Sequence, residues 1–132
     1  MAMGKPSVLI AEDDDDTREL LHYQLEAAGF NVITAEDGNV ALKLLNRHRP
    51  DVIVTDLMMP AIGGIGLIQR LRRRAEFADT PIIALSAHRD YSPDPMMAGA
   101  TIVLRKPHDI LRLVDVVTGF LPGGTQSEKT DG

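Results

Sequence analysis

"SVLIAEDDDD", Ser7 to Asp16, runs a short apolar stretch straight into one glutamate and four aspartates. An apolar run of strand length reads as a strand buried on both faces. The acids behind it repel one another, at about 4 kcal/mol per pair for ~4 Å and an effective dielectric of ~20. A buried strand that opens onto such a cluster marks one sheet edge as a place where a cation is needed.

Outward from this stretch, strands and helices alternate. Leu21, Leu25 and Ala28 recur at helical spacing within Thr17 to Ala28, with Leu20 beside them, and Gly29 is placed to stop that helix. Asn31 to Ala35 predicts a second strand, and Asn39 to His48 a helix through Ala41, Leu44, Leu45 and His48. "DVIVTD", Asp51 to Asp56, predicts the third strand, and Gly64 to Arg74 a helix with Ile65, Ile68 and Leu71 on one face. "PIIALS", Pro81 to Ser86, and "TIVLR", Thr101 to Arg105, predict strands four and five, and Asp109 to Phe120 the closing helix. Such alternation implies an α/β domain: a doubly wound, five-stranded parallel sheet of flavodoxin-like order 2-1-3-4-5. Pro93 and Pro95 leave little room before Gly99, so the fourth helix is expected to be stunted to one or two turns, behind an extended segment at Tyr91.

Composition bounds the function. The chain has 132 residues, which suits one domain; 44% are hydrophobic, and with no Trp, two Tyr and three Phe the core must be aliphatic. A net charge of −5 argues against nucleic acid or an anionic membrane as direct partner. The absence of Cys excludes disulfides, thiol catalysis and Cys-ligated metal, and fits the cytoplasm. No run approaches the ~20 apolar residues that span a bilayer, and the apolar stretch at the start is too short for a signal peptide. Residues 1–6 read as an N-terminal extension, 7–121 as the domain, and 122–132, rich in small and polar residues, as a disordered tail or linker.

In an open parallel sheet of this order, ligands bind outside the carboxyl ends of the strands. Strand one ends in Glu12 and Asp13, strand three in Asp56, strand four in Ser86, and strand five in Lys106 before Pro107. Hard oxygen ligands there suit Mg²⁺, with Lys106 as a second, fixed positive charge. Asp56, on the central strand, is placed to act as a phosphoryl-accepting nucleophile. Asp14, Asp15 and Asp16 read as helix N-terminal acids, and Arg72, Arg73 and Arg74 as a solvated helix end. The four histidines lack metal-ligand spacing. His88, two residues past Ser86, stands where it could tune water access, and Met96 and Met97 are expected to pack under the loop.

The segments "VLIAEDD", "VIVTDLMMP", "IIALSA" and "LRKP", in this order, resemble the receiver domains of bacterial two-component response regulators. The resemblance covers about Val8 to Phe120. It implies Asp56 as phosphoacceptor, Asp13 as direct Mg²⁺ ligand, Glu12 acting mostly through water, and Met58 lending its backbone carbonyl to the metal. It implies Ser86 as the switch hydroxyl and Lys106, in a cis Lys–Pro bond, as the phosphate-binding lysine. The phosphoryl donor would be a histidine on a sensor histidine kinase or histidine phosphotransfer protein. The domain would switch conformation to control a partner or output domain, and would not be an enzyme beyond assisting its own phosphorylation and dephosphorylation. Homodimers or effectors would use the face of the fourth helix, fifth strand and fifth helix. The chain departs from the family at Val103, where Tyr or Phe is usual, and at Gly63, where an acid is common; Tyr91 is the candidate substitute for the missing aromatic.

Other functions fit less well. An aspartyl-nucleophile phosphatase wants a second acid two residues after the nucleophile, where this chain has Met58. A nucleotide or flavin module wants its glycines after a strand, whereas "GGIG" follows a proline turn. A degenerate receiver acting as a constitutive interaction module is opposed by the full acid, Ser and Lys set and favoured by Val103. Kinase, output and oligomeric state stay open, as does the choice among stand-alone regulator, phosphorelay shuttle and fragment.

Overall fold

The computed structural model describes residues 4–87 and 94–121. Five strands, β1 (Ser7–Ala11), β2 (Asn31–Ala35), β3 (Val52–Asp56), β4 (Ile82–Ser86) and β5 (Ile102–Arg105), form one sheet in the order β2-β1-β3-β4-β5. All four pairings are parallel. This is the flavodoxin-like arrangement that the alternating pattern predicts. The three central strands are buried almost throughout, whereas β2 and β5, at the edges, are half-buried.

Side-chain alternation along each strand sorts the core into two layers. Leu9, Ala11, Ile53, Ile82 and Ala84 meet Ala41 and Leu45 of α2 (Gly38–Leu45) and Leu67, Ile68 and Leu71 of α3 (Gly63–Arg72). Val8, Ile10, Val52, Val54, Ile83, Leu85 and Leu104 meet Leu21 and Leu25 of α1 (Asp15–Ala27) and Leu113 and Val117 of α5 (Leu113–Gly119). Each fully buried leucine contributes roughly 2 kcal/mol of burial, so Leu21 and Leu25 hold α1 to the sheet. Asp14 caps that helix by accepting the Thr17 N–H at 2.8 Å, and Asp37 caps α2 through the Val40 N–H at 2.8 Å. Gly29, at φ 101, lets the chain leave α1 in the left-handed region.

Several expectations need correction. The helix expected over 39–48 stops at Leu45, and His48 is exposed beyond it. The helix expected through Arg74 ends at Arg72 and is followed by a separate 3-10 turn, Ala75–Phe77, which sinks Phe77 into the core. The closing helix is broken in two, a 3-10 segment His108–Arg112 and then α5. Leu20 is 49% exposed and Ala28 is exposed, so α1 buries a narrower stripe than its spacing suggests.

The fourth helix, α4 (Pro95–Ala98), is a single turn with Pro95 in its first position and Asp94 as its cap. A one-turn helix has no inner face deep enough to bury two methionines, and Met96 and Met97 are 49% and 84% exposed rather than packed. His88 and Tyr91 lie outside the described residues, as do residues 1–3 and the segment 122–132. Among the described residues no helix is long and apolar enough to cross a membrane.

Candidate functional site

Parallel pairing aligns the carboxyl ends of β1, β3 and β4, so the residues that end them share one rim. Glu12 and Asp13 follow β1, and the Glu12 N–H donates to the Ala35 carbonyl, continuing the β1–β2 ladder by one step. Asp56 is the last residue of β3, and Leu57 continues its ladder to the Leu85 carbonyl. Lys106 follows β5, donating its N–H to the Ser86 carbonyl at 2.8 Å, and the Lys106–Pro107 bond is cis.

These ends converge. The Lys106 Nζ lies 2.8 Å from Glu12 Oε1 and 2.7 Å from Asp56 Oδ1. One carboxylate oxygen from each of Glu12, Asp13 and Asp56 lies within 4.8 Å of the others. Glu12 and Asp56 are buried, at 1% and 4% exposure, while Asp13 is exposed. Glu12 Oε2 accepts the Asp14 N–H at 3.1 Å, and Asp56 Oδ2 accepts the Met58 N–H at 3.1 Å. Asp13, among the described residues, makes no hydrogen bond or ion pair.

Burial pushes the carboxyls of Glu12 and Asp56 above their ordinary values, against the pull of the Lys106 hydrogen bond on each. Burial draws the Lys106 ammonium down, but its two carboxylate partners more than offset this and hold it above the usual lysine value. Three carboxylates beside one ammonium leave the rim two charges short of neutrality. Hard oxygen donors, close spacing and that charge deficit fit a small divalent cation. Asp13, exposed and uncommitted, is the group most available to bind it directly, whereas both oxygens of Glu12 and of Asp56 already accept hydrogen bonds or pair with Lys106.

The sequence-predicted residues are thus placed as follows. Glu12, Asp13, Asp56 and Lys106 meet at one point. Met58 adjoins it through its backbone, with a side chain 56% exposed. Ser86 ends β4 on the same rim and is buried. Val103 is half-buried against the α2 and α3 layer of the core.

Two contributors escaped sequence reasoning. Arg18 donates its Nη1 to the Glu12 carbonyl at 2.9 Å and pairs with Asp15, tying α1 to the acidic turn. Gly64 lies so close under Asp56 that a Cβ there would sit 2.2 Å from the Asp56 carbonyl oxygen and 2.7 Å from Leu57 Cα. The glycine run "GGIG" carried the signal, but only the fold shows which glycine lies against the backbone of the phosphoacceptor candidate.

Comparison with known proteins agrees with this geometry. The family described as "Response regulator receiver domain" matches residues 8–118. The chain is 38% identical over 118 residues to the transcriptional regulatory protein PrrA of Mycobacterium tuberculosis, covering 88% of this chain and 50% of PrrA. It is 35% identical over 120 residues to an uncharacterized 14.6 kDa protein of Leptolyngbya boryana, covering 89% of this chain and 92% of that one. The response regulator protein TrrA of Thermotoga maritima, solved in complex with Mg²⁺ and BeF, superposes with a TM-score of 0.79 at 30% identity, over 88% of this chain and 99% of TrrA. The chain spans about a third to a half of the length of several curated relatives it matches, PrrA among them.

Proposed function

Because the chain belongs to the response regulator receiver domain family, we propose that it accepts a phosphoryl group on Asp56 in a Mg²⁺-dependent reaction and thereby switches a partner or output domain. The donor is a phosphohistidine of a sensor histidine kinase or of a histidine phosphotransfer protein, and the domain works in the cytoplasm where such donors are charged. The observation that carries this reading is the Asp56 carboxylate itself: nearly buried, 2.7 Å from a lysine ammonium, and within 4.8 Å of two further acids.

In the proposed step an Asp56 carboxylate oxygen attacks phosphorus, the phosphorus–nitrogen bond of the donor breaks, and the imidazole leaves with that electron pair and takes up a proton. The product is an acyl phosphate on Asp56. Lys106, already on Asp56 Oδ1, would hold a phosphoryl oxygen once the carboxylate is phosphorylated. Ser86, at the end of β4, is the hydroxyl assigned to turn toward the phosphoryl group. Asp13, Asp56 and the Met58 carbonyl would hold Mg²⁺, which when bound supplies the charge neutralisation that lets a dianionic phosphoryl group approach three acids. Glu12 contributes from behind, fixing Lys106 at 2.8 Å.

The reading is a switch rather than a turnover catalyst. Met58, two residues after the nucleophile, offers no proton to a leaving group. Incubation with a small phosphoryl donor and Mg²⁺ should add one acid-labile phosphate, detected by intact mass. Uptake should vanish in Asp56→Asn; a phosphate still gained by that variant would refute the assignment.

A further inference from the structure

The chain carries a net charge of −5, yet residues 43–74 hold seven of its fourteen Lys and Arg and only two acids, Asp51 and Asp56. Both acids are occupied elsewhere: Asp51 accepts the Ser7 N–H, and Asp56 is in the rim site. Two of the cations are also occupied. Arg72 is bound to backbone carbonyls, and Arg74 pairs with Glu76 at 2.8 Å. Among the described residues, Lys43, Arg47, Arg49, Arg70 and Arg73 make no ion pair with any carboxylate.

Three of these five, Lys43, Arg47 and Arg70, line two adjoining depressions. A trough of about 610 Å³ lies between α2 and α3, lined by Asn39, Leu42, Lys43, Asn46, Arg70 and Arg74. A second depression of about 400 Å³ shares Lys43 and Asn46 with it and continues over the end of α2 to Leu44 and Arg47. The trough runs along α2 from Asn39, in its first turn, to Asn46, which caps its end.

The lining selects its occupant. No acid and no aromatic ring lines either depression. A nucleobase or single-stranded nucleic acid would find no stacking platform. Asn39 and Asn46 offer amides that both donate and accept, which matches peptide bonds better than phosphates. Leu42 and Leu44 add aliphatic contact, and two connected open depressions suit an extended segment better than an enclosed small molecule.

We propose that the α2–α3 trough is a docking surface for an acidic, aliphatic-bearing segment of a partner protein. Unpaired cations there raise encounter rates with such a segment and reject basic ones. None of its lining residues is one of the rim residues Glu12, Asp13, Asp56, Ser86 and Lys106.

The test is fluorescence anisotropy on the full chain at low salt, with a fluorescein-labelled peptide of Asp, Glu and Leu and a counterpart bearing Asn and Gln for the acids. Expected is binding of the acidic peptide only, weakened at least about tenfold by the triple variant Lys43→Glu, Arg47→Glu, Arg70→Glu. Lys5→Glu with Arg105→Glu, equal in kind but off the trough, should change it less than about twofold. The milder Lys43→Gln, Arg70→Gln pair, checked by circular dichroism, should give an intermediate loss, which guards against misfolding. Three results overturn the proposal: no binding to wild type, equal loss in the off-trough variant, or a labelled oligonucleotide that binds more tightly than the peptide and is lost in the triple variant.

Discussion

Lys106 has two buried carboxylates to serve, and one ammonium cannot neutralise both. Burial raises the carboxyls of Glu12 and Asp56 and Lys106 only partly opposes it, so the rim stays receptive to further positive charge. These acids could be found from the chain alone because each ends a strand, and strand ends share an edge in any parallel sheet. Gly64 could not be found this way, since its role is the absence of a Cβ against the Asp56 carbonyl. The nearby atoms are backbone and cannot rotate aside. Gly64→Ala should therefore cost about 2–3 kcal/mol in urea unfolding and should also slow phosphorylation by displacing Asp56. An unchanged midpoint would show that the backbone at Leu57 yields to a Cβ at this position and that Gly64 is not required there.

Arg72 shows the limit of element-level reading. Its place at the end of a helix beside Arg73 and Arg74 suggests a solvated cation, and the structure corrects this. The guanidinium donates to the carbonyls of Phe77 at 2.7 Å, Thr80 at 2.8 Å and Gly99 at 2.9 Å, so one side chain ties the end of α3 to the approach to β4 and to the end of α4. Burial accordingly pulls its pKa below the usual arginine value. A single-turn helix cannot hold itself, because its nucleus fixes several residues for very few hydrogen bonds, and Arg72 supplies part of what it lacks. Arg72→Ala should cost about 2 kcal/mol of stability, and Arg72→Lys should recover less than half of that, since an ammonium lacks the planar fork. Urea midpoints of the three proteins decide it; a fully rescued lysine variant would reduce the role to charge. The same shortness leaves Met96 and Met97 exposed, a consequence of helix length that apolarity alone does not reveal.

At the scale of the whole molecule, charge is divided between an acidic rim at the carboxyl edge of the sheet and a basic trough between α2 and α3. On the proposed reading Mg²⁺ would bind the folded rim and find no such site in the unfolded chain, so a hundredfold excess over its dissociation constant should stabilise the domain by about 2.7 kcal/mol. Asp13→Asn should be more stable than wild type without metal, because the Asp13 charge acts against that of Asp56, and should gain little when Mg²⁺ is added. Thermal unfolding with and without Mg²⁺ checks both signs, and an equal gain in the two proteins would remove Asp13 from the metal site. The linear order of residues determined the sheet order, the two-layer core and the meeting of Glu12, Asp13, Asp56 and Lys106, because alternation of apolar runs sets topology and topology sets which strand ends adjoin. Only the tertiary structure decided the Arg72 clasp, the Gly64 contact, the exposure of α4 and the clustering of unpaired cations. Each of these depends on distances between segments far apart in the chain, and local hydrophobic periodicity carries no information about them.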